Sequence, residues 1–196
     1  MVWVILLILI GVFVVLPIKI YNTLVAGKNG YLNAFAQIQV QLQRRHDLVP
    51  NLVETAKAYL THENETLRAV TEARAAAQKS LDAAGINPNS MALANLSQHE
   101  MALTGALRSL NVVMEAYPEL KADLAVANLT EALESTENRV GFARQAYNDA
   151  VMNYNISRQS FPASLLADFF GHKKDAVPLR MEDETVIQSA PRVSIS

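Results

Sequence analysis

The chain has no cysteine. That excludes disulfides, thiol nucleophiles, a lipid-bearing cysteine and Cys-based zinc sites together. Glycine and proline number only seven each in 196 residues. They cluster at a few points, and no phosphate-cradling glycine loop, Gly-x-Ser-x-Gly elbow or dinucleotide fingerprint is present. The net charge is −2, and no long block of one sign stands out. A basic footprint for nucleic acid is therefore missing, and so is an acidic tail. Most telling, no charged side chain precedes Lys19.

What fills that opening stretch is apolar. Of residues 2–18, fourteen are Val, Ile, Leu or Phe. As a helix the stretch would measure about 25 Å, close to the hydrocarbon thickness of a bilayer. Insertion of those side chains is favoured by roughly 4–8 kcal/mol. A cleaved leader would carry a basic start and a small-x-small cleavage site. Neither is seen around Pro17-Ile18-Lys19. The expectation is a retained transmembrane anchor over 1–20, with Val2, Trp3, Ile5, Leu9, Phe13, Leu16 and Ile18 in lipid. Lys19, Lys28, Arg44 and Arg45 all follow it, which predicts the N-terminus outside and the rest in the cytoplasm. No second apolar run of that length occurs.

Beyond the anchor, Ala, Leu, Gln, Glu and Asn make a helical composition. Tyr31, Phe35, Ile38, Leu42, Val49, Leu52, Ala56 and Tyr59 alternate in steps of four and three, with Arg45 in the one charged slot. This is the seam of helices packed nearly parallel to one another's axes. The phase then slips by one residue to Leu60, Leu67, Val70, Arg74, Ala77 and Leu81. The seam keeps its phase through Pro50, so the spacing predicts a kink there and one long helix as far as Ala84, closed by Gly85. A second helix is expected from about Asn89 with seam Leu93, Leu96, Leu103, Leu107, Leu110, Met114 and Tyr117, and Glu100 in its charged slot. Pro118 ends or restarts it. Val126, Leu133, Val140, Tyr147 and Tyr154, seven apart, predict a third helix from about Glu119 to Arg158. The fold class is all-α: an N-terminal transmembrane helix followed by a long antiparallel bundle of three to four helices over 21–160. Residues 161–196 form a short amphipathic segment and a tail.

Arg45 and Glu100 are the informative exceptions to the apolar seams. Each needs a partner or water, because an unpaired buried charge costs several kcal/mol. Either they face each other and fix helix register, or each snorkels to the surface. His62-Glu63 and His99-Glu100 resemble half of a zinc-protease helix, but Thr66 and Leu103 stand where the second His would be. No metal, cofactor or catalytic residue is assigned. The sequons at Asn64, Asn95, Asn128 and Asn155 fall in helical stretches and read as chance matches. Leu165, Leu166, Phe169 and Phe170 would lie exposed along one side of a short helix. They either cover one end of the bundle or contact a neighbouring copy or lipid. Arg192 to Ser196 alternates like a strand.

The run Gln41-Leu42-Gln43-Arg44-Arg45-His46-Asp47-Leu48-Val49-Pro50-Asn51-Leu52-Val53 resembles the signature of the LemA family. Its motif positions here are Arg45, Asp47, Leu48, Val49, Pro50, Asn51, Leu52 and Val53. Tyr21-Asn22-Thr23-Leu24-Val25, Lys57-Ala58-Tyr59, Ala73-Arg74-Ala75, Tyr147-Asn148 and Phe161-Pro162 match further points of that family. An aromatic often follows the glycine equivalent to Gly171, where this chain has His172. Asp47 would cap the amides that Pro50 disturbs, or pair with Arg44. The resemblance implies a bacterial inner-membrane single-pass protein with a helical bundle and no enzymatic activity. Some relatives occur beside membrane zinc metalloproteases, and one branch takes part in forming magnetosome membranes.

Two functions compete at this level. One is a membrane-tethered scaffold that self-associates and organises the bilayer, with lipid and further copies of itself as partners. The other is an adaptor in membrane-protein quality control that works with a membrane metalloprotease. An enzyme is disfavoured, because the His, Asp and Glu residues show no catalytic spacing.

Overall fold

The computed structural model describes residues 1–181, apart from the side chains of Ile5–Ile10 and Val12. The described chain is helical: α1 (Val2–Lys57), α2 (Asn64–Ile86), α3 (Ser90–Glu115), α4 (Pro118–Lys121), α5 (Leu124–Gln159) and α6 (Ala163–Leu166). Among the described residues no helix is long and apolar enough to cross a membrane. The expected span gains no support there, because the side chains left undescribed are among its most apolar. The strand-like Arg192–Ser196 lies outside the described residues.

Two compact units form. One contains residues 1–41 and 138–178, and the other contains 42–137 together with the chain from Leu179. Both α1 and α5 contribute to each unit.

In the second unit, Pro50 sits inside α1, which continues to Lys57. The helix does not run on to Ala84. The chain turns at residues 58–63, where the amides of Tyr59 and Leu60 both donate to the Ala56 carbonyl. The one-residue phase slip between Tyr59 and Leu60 is the trace of that turn. The two seams belong to two separate helices, so the slip falls at the hairpin between them. α2 then runs antiparallel to α1: Gln78 reaches Gln43 and Arg74 reaches His46. Asn89 caps α3 by accepting from the Ala92 amide at 3.0 Å, the side-chain capping expected of an Asn before a helix. Pro118 opens the single turn α4, where its missing N–H is harmless. The long helix begins at Leu124 rather than Glu119, with Asp123 accepting from the Ala125 amide at 2.7 Å. The core joins Val49, Leu52, Ala56, Leu60, Leu67, Val70, Leu103, Leu107, Leu110, Val126 and Leu133.

In the first unit, the early part of α1 packs against the late part of α5. Tyr31 lies edge-on to Tyr154 at 5.2 Å, and Phe35 meets Tyr147 at 5.6 Å. Gly27 permits this approach: a Cβ there would stand 3.3 Å from the Tyr154 ring. Ile20, Leu24, Tyr154 and Ala167 form a buried cluster beneath α6. Leu166 and Phe170, expected to be exposed, pack against that cluster, whereas Leu165 and Phe169 remain exposed. The difference follows from α6 folding back onto α1, which buries one of its sides and leaves the other bare.

Candidate functional site

Helix α1 carries Arg45 and His46 on adjacent positions of its inner face, and both are buried, at 4% and 0% exposure. Glu100 of α3, at 1% exposure, lies opposite them. Its Oε1 is 2.7 Å from His46 Nε2, and its Oε2 is 3.4 Å from Arg45 Nη1. Arg45 Nη2 also donates to Thr104 Oγ1 at 2.9 Å, and Glu137 Oε2 is 3.9 Å away. The two charged seam residues thus face each other across the helix pair, and a histidine completes the cluster.

The contacts of His46 follow from its neighbours. Gln78 donates its amide nitrogen to Gln43 Oε1 and Asp82 Oδ1, both at 3.0 Å. Its oxygen must then be the atom 3.0 Å from His46 Nδ1. An oxygen acceptor therefore faces each ring nitrogen, Gln78 at Nδ1 and Glu100 at Nε2. Arg45, His46 and Glu100 are buried together, and their polar groups meet one another across α1 and α3.

Pro50 leaves a second mark on the same turn. It has no amide proton to give to the carbonyl of His46, four residues earlier. Arg74 of α2 supplies the missing donor, with Nε 2.8 Å from His46 O. Asp47 plays neither expected role: it accepts from Gln43 Nε2 at 2.8 Å on the exposed side of α1. The group that Pro50 leaves bare is the His46 carbonyl, which needs a donor; a carboxylate only accepts, so an Arg on the neighbouring helix does the work. Of the other signature residues, Val49 and Leu52 are fully buried, Leu48 and Val53 pack against the same core, and Asn51 is exposed.

His62 and Glu63 fall in the turn between α1 and α2, and Glu63 lies 3.5 Å from the Tyr117 hydroxyl. Glu100 is committed to Arg45 and His46. Among the described residues no group of three His, Cys, Asp or Glu is arranged for a metal ion.

In the first unit, α5 holds the chain beyond Gly171, which has φ +84°. Asn155 donates to the Ala176 carbonyl at 2.9 Å and accepts from its amide at 2.8 Å. Tyr147 donates to Val177 O at 2.7 Å, and Arg158 reaches His172 O and Asp175 at 2.7 Å each. Burial pushes the Tyr147 phenol up to about 12. His172 is 6% exposed, its ring 5.8 Å from Tyr154. Burial, together with Lys28 and Arg158, holds its imidazole below the ordinary value. It is thus the neutral ring whose Nδ1 lies 3.0 Å from the Tyr154 hydroxyl. Sequence pattern passed over Asn155 and Arg158; Asn155 looked like a stray sequon. A polar pair on the inner side of a helix end was the one available signal.

Residues 34–195 match the sequence profile of the LemA family. The chain belongs to the LemA family. Protein LemA of Metamycoplasma hominis is 24% identical over 158 residues, covering 81% of this chain and 68% of that protein. The magnetosome proteins MamQ 2 and MamQ 1 of Paramagnetospirillum magneticum are each 25% identical over 173 residues, 79% of this chain and 62% of theirs. The chain thus spans about two thirds of the length of these relatives. Arg45, His46 and Arg74 all lie inside the matched region.

Proposed function

We propose that this LemA-family chain is a bilayer-anchored helical scaffold that works by self-association. Residues 2–18 form the anchor. They belong to the same uninterrupted helix, α1, that carries the Arg45–His46 pair. A tether of this kind passes directly into folded protein, with no flexible linker between them. The flanking lysines favour a bundle on the cytoplasmic side of a bacterial inner membrane.

The observation that carries self-association is an exposed apolar strip on α5. Phe142, Met152 and Ile156 are 73%, 54% and 54% exposed. At 100° per residue they fall within one face of the helix. Bulky apolar side chains sharing a face mark interaction surfaces more often than scattered ones do. Two relatives named as magnetosome proteins support a role in organising membrane. Anchoring in one bilayer would multiply weak contacts between copies by raising their effective concentration.

The test is the size distribution of the full chain in native-like membrane patches, imaged without detergent. Multimers that fall apart in the Phe142→Ser, Ile156→Ser double variant are expected. Single copies throughout would end the scaffold reading. A fixed one-to-one complex with a metalloprotease, recovered by crosslinking, would replace it with the adaptor.

A further inference from the structure

We infer that the segment around α6 is a second membrane contact, lying in the lipid headgroup and acyl boundary of the leaflet where the anchor ends. This rests on the reading of residues 2–18 as that anchor. Chain geometry sets the level. Tyr21 is three residues beyond Ile18, about 5 Å along the helix. Phe170 sets its ring edge-on against Tyr21 at 5.3 Å, and Ala167 is buried with Ile20 and Leu24. The segment is therefore fixed beside the turn of α1 that emerges from the apolar run. If residues 2–18 fill the hydrocarbon, that turn stands at headgroup depth, where a short amphipathic element buries its apolar side by about 5–10 Å.

The free side of the segment suits that place. Phe161, Leu165 and Phe169 are 82%, 73% and 85% exposed. Three bulky apolar groups are bare on the side that does not touch α1. The surrounding charge suits anionic headgroups. Lys19, Lys28, Lys173 and Lys174 are exposed on this unit. The nearby carboxylates of Asp168 and Asp175 are both paired to Arg158. The lysines are left to face phosphate, and basic residues beside a membrane surface are attracted by anionic lipid. A second copy of the chain could cover apolar groups, but the adjoining cations would repel their own likeness.

The experiment uses the full chain in vesicles of zwitterionic or anionic phospholipid, with bromine placed shallow or deep on the acyl chains. The native protein has a single tryptophan, Trp3, which reports the anchor. The Trp3→Phe, Phe169→Trp variant reports the segment. Both indoles are expected to be quenched. The one at position 169 should be quenched more by shallow than by deep bromine, and more in anionic vesicles at low salt. Quenching of Trp3 without quenching at position 169 would overturn the second contact and leave the anchor standing. A blue-shifted emission at 169 that tracks protein density but not bromine would also overturn it, in favour of a second copy. Loss of quenching at both positions would remove anchor and contact together.

Discussion

Pro50 and Arg74 act as one unit. The proline withholds an amide proton from the His46 carbonyl, and the guanidinium of a neighbouring helix replaces it at 2.8 Å. Removing Arg74 leaves that carbonyl without this donor, so Arg74→Met is expected to cost about 1–3 kcal/mol in urea unfolding. In a Pro50→Ala background the helix can supply its own bond, and the Arg74→Met cost should shrink by half or more. Equal costs in both backgrounds would separate the two residues. Glu100 is the more severe position. Glu100→Gln removes the buried carboxylate that Arg45 and His46 share and leaves Arg45 only the more exposed Glu137, 3.9 Å away. A loss of about 3–5 kcal/mol is expected, since breaking a buried ion pair from one side is far costlier than replacing it whole. A variant as stable as the parent would show that the cluster has access to solvent or a further counter-ion.

At the scale of elements, α5 holds the chain after Gly171 through hydrogen bonds from Asn155, Arg158 and Tyr147, and through a neutral His172. The His172 imidazole is held below its ordinary value of 6.5. The released chain takes up a proton near 6.5, whereas the docked chain does so only at lower pH. Docking is therefore fully supported above about pH 6.5 and weakens as pH falls below it. Proteolysis within 172–178 should quicken on acidification in the native chain, and this pH response should be absent from His172→Phe, which keeps an aromatic without a proton to gain. An unchanged response in that variant would assign the effect elsewhere. α6 illustrates a different lesson. Leu165, Leu166, Phe169 and Phe170, in α6 and just beyond it, read as one exposed stripe, but folding back onto α1 divides them into a packed pair and a bare pair.

For the whole molecule, the proposed scaffold depends on the opening run of α1. Leu9→Lys with Phe13→Lys adds two charges to that run, at roughly 2.5–3.5 kcal/mol each near the middle of a bilayer. The double variant is expected to leave the membrane fraction under alkaline carbonate extraction while keeping its helical circular dichroism. Retention in the pellet would mean that another part of the chain provides the attachment.

Much of this was already present in the order of residues. Periodic burial is a local property of a helix, so the seams from Phe35 to Ala56, from Leu93 to Met114 and from Val126 to Tyr154 declared themselves by spacing alone. So did the two charges out of place in them, because a charge at a core position stands out without any knowledge of its partner. Even the turn at 58–63 was written there as a slip of one residue, legible as a turn only once the two phases were seen to serve opposite directions of the chain. Which charge meets which, which donor repairs the proline, and which side of α6 is left bare depend on contacts between residues dozens of positions apart. Spacing along one helix carries no information about the rotation of the next. Only the packed structure sets that rotation, and it placed His46 between Glu100 and Gln78, Arg74 on the His46 carbonyl, and Asn155 on the backbone of Ala176.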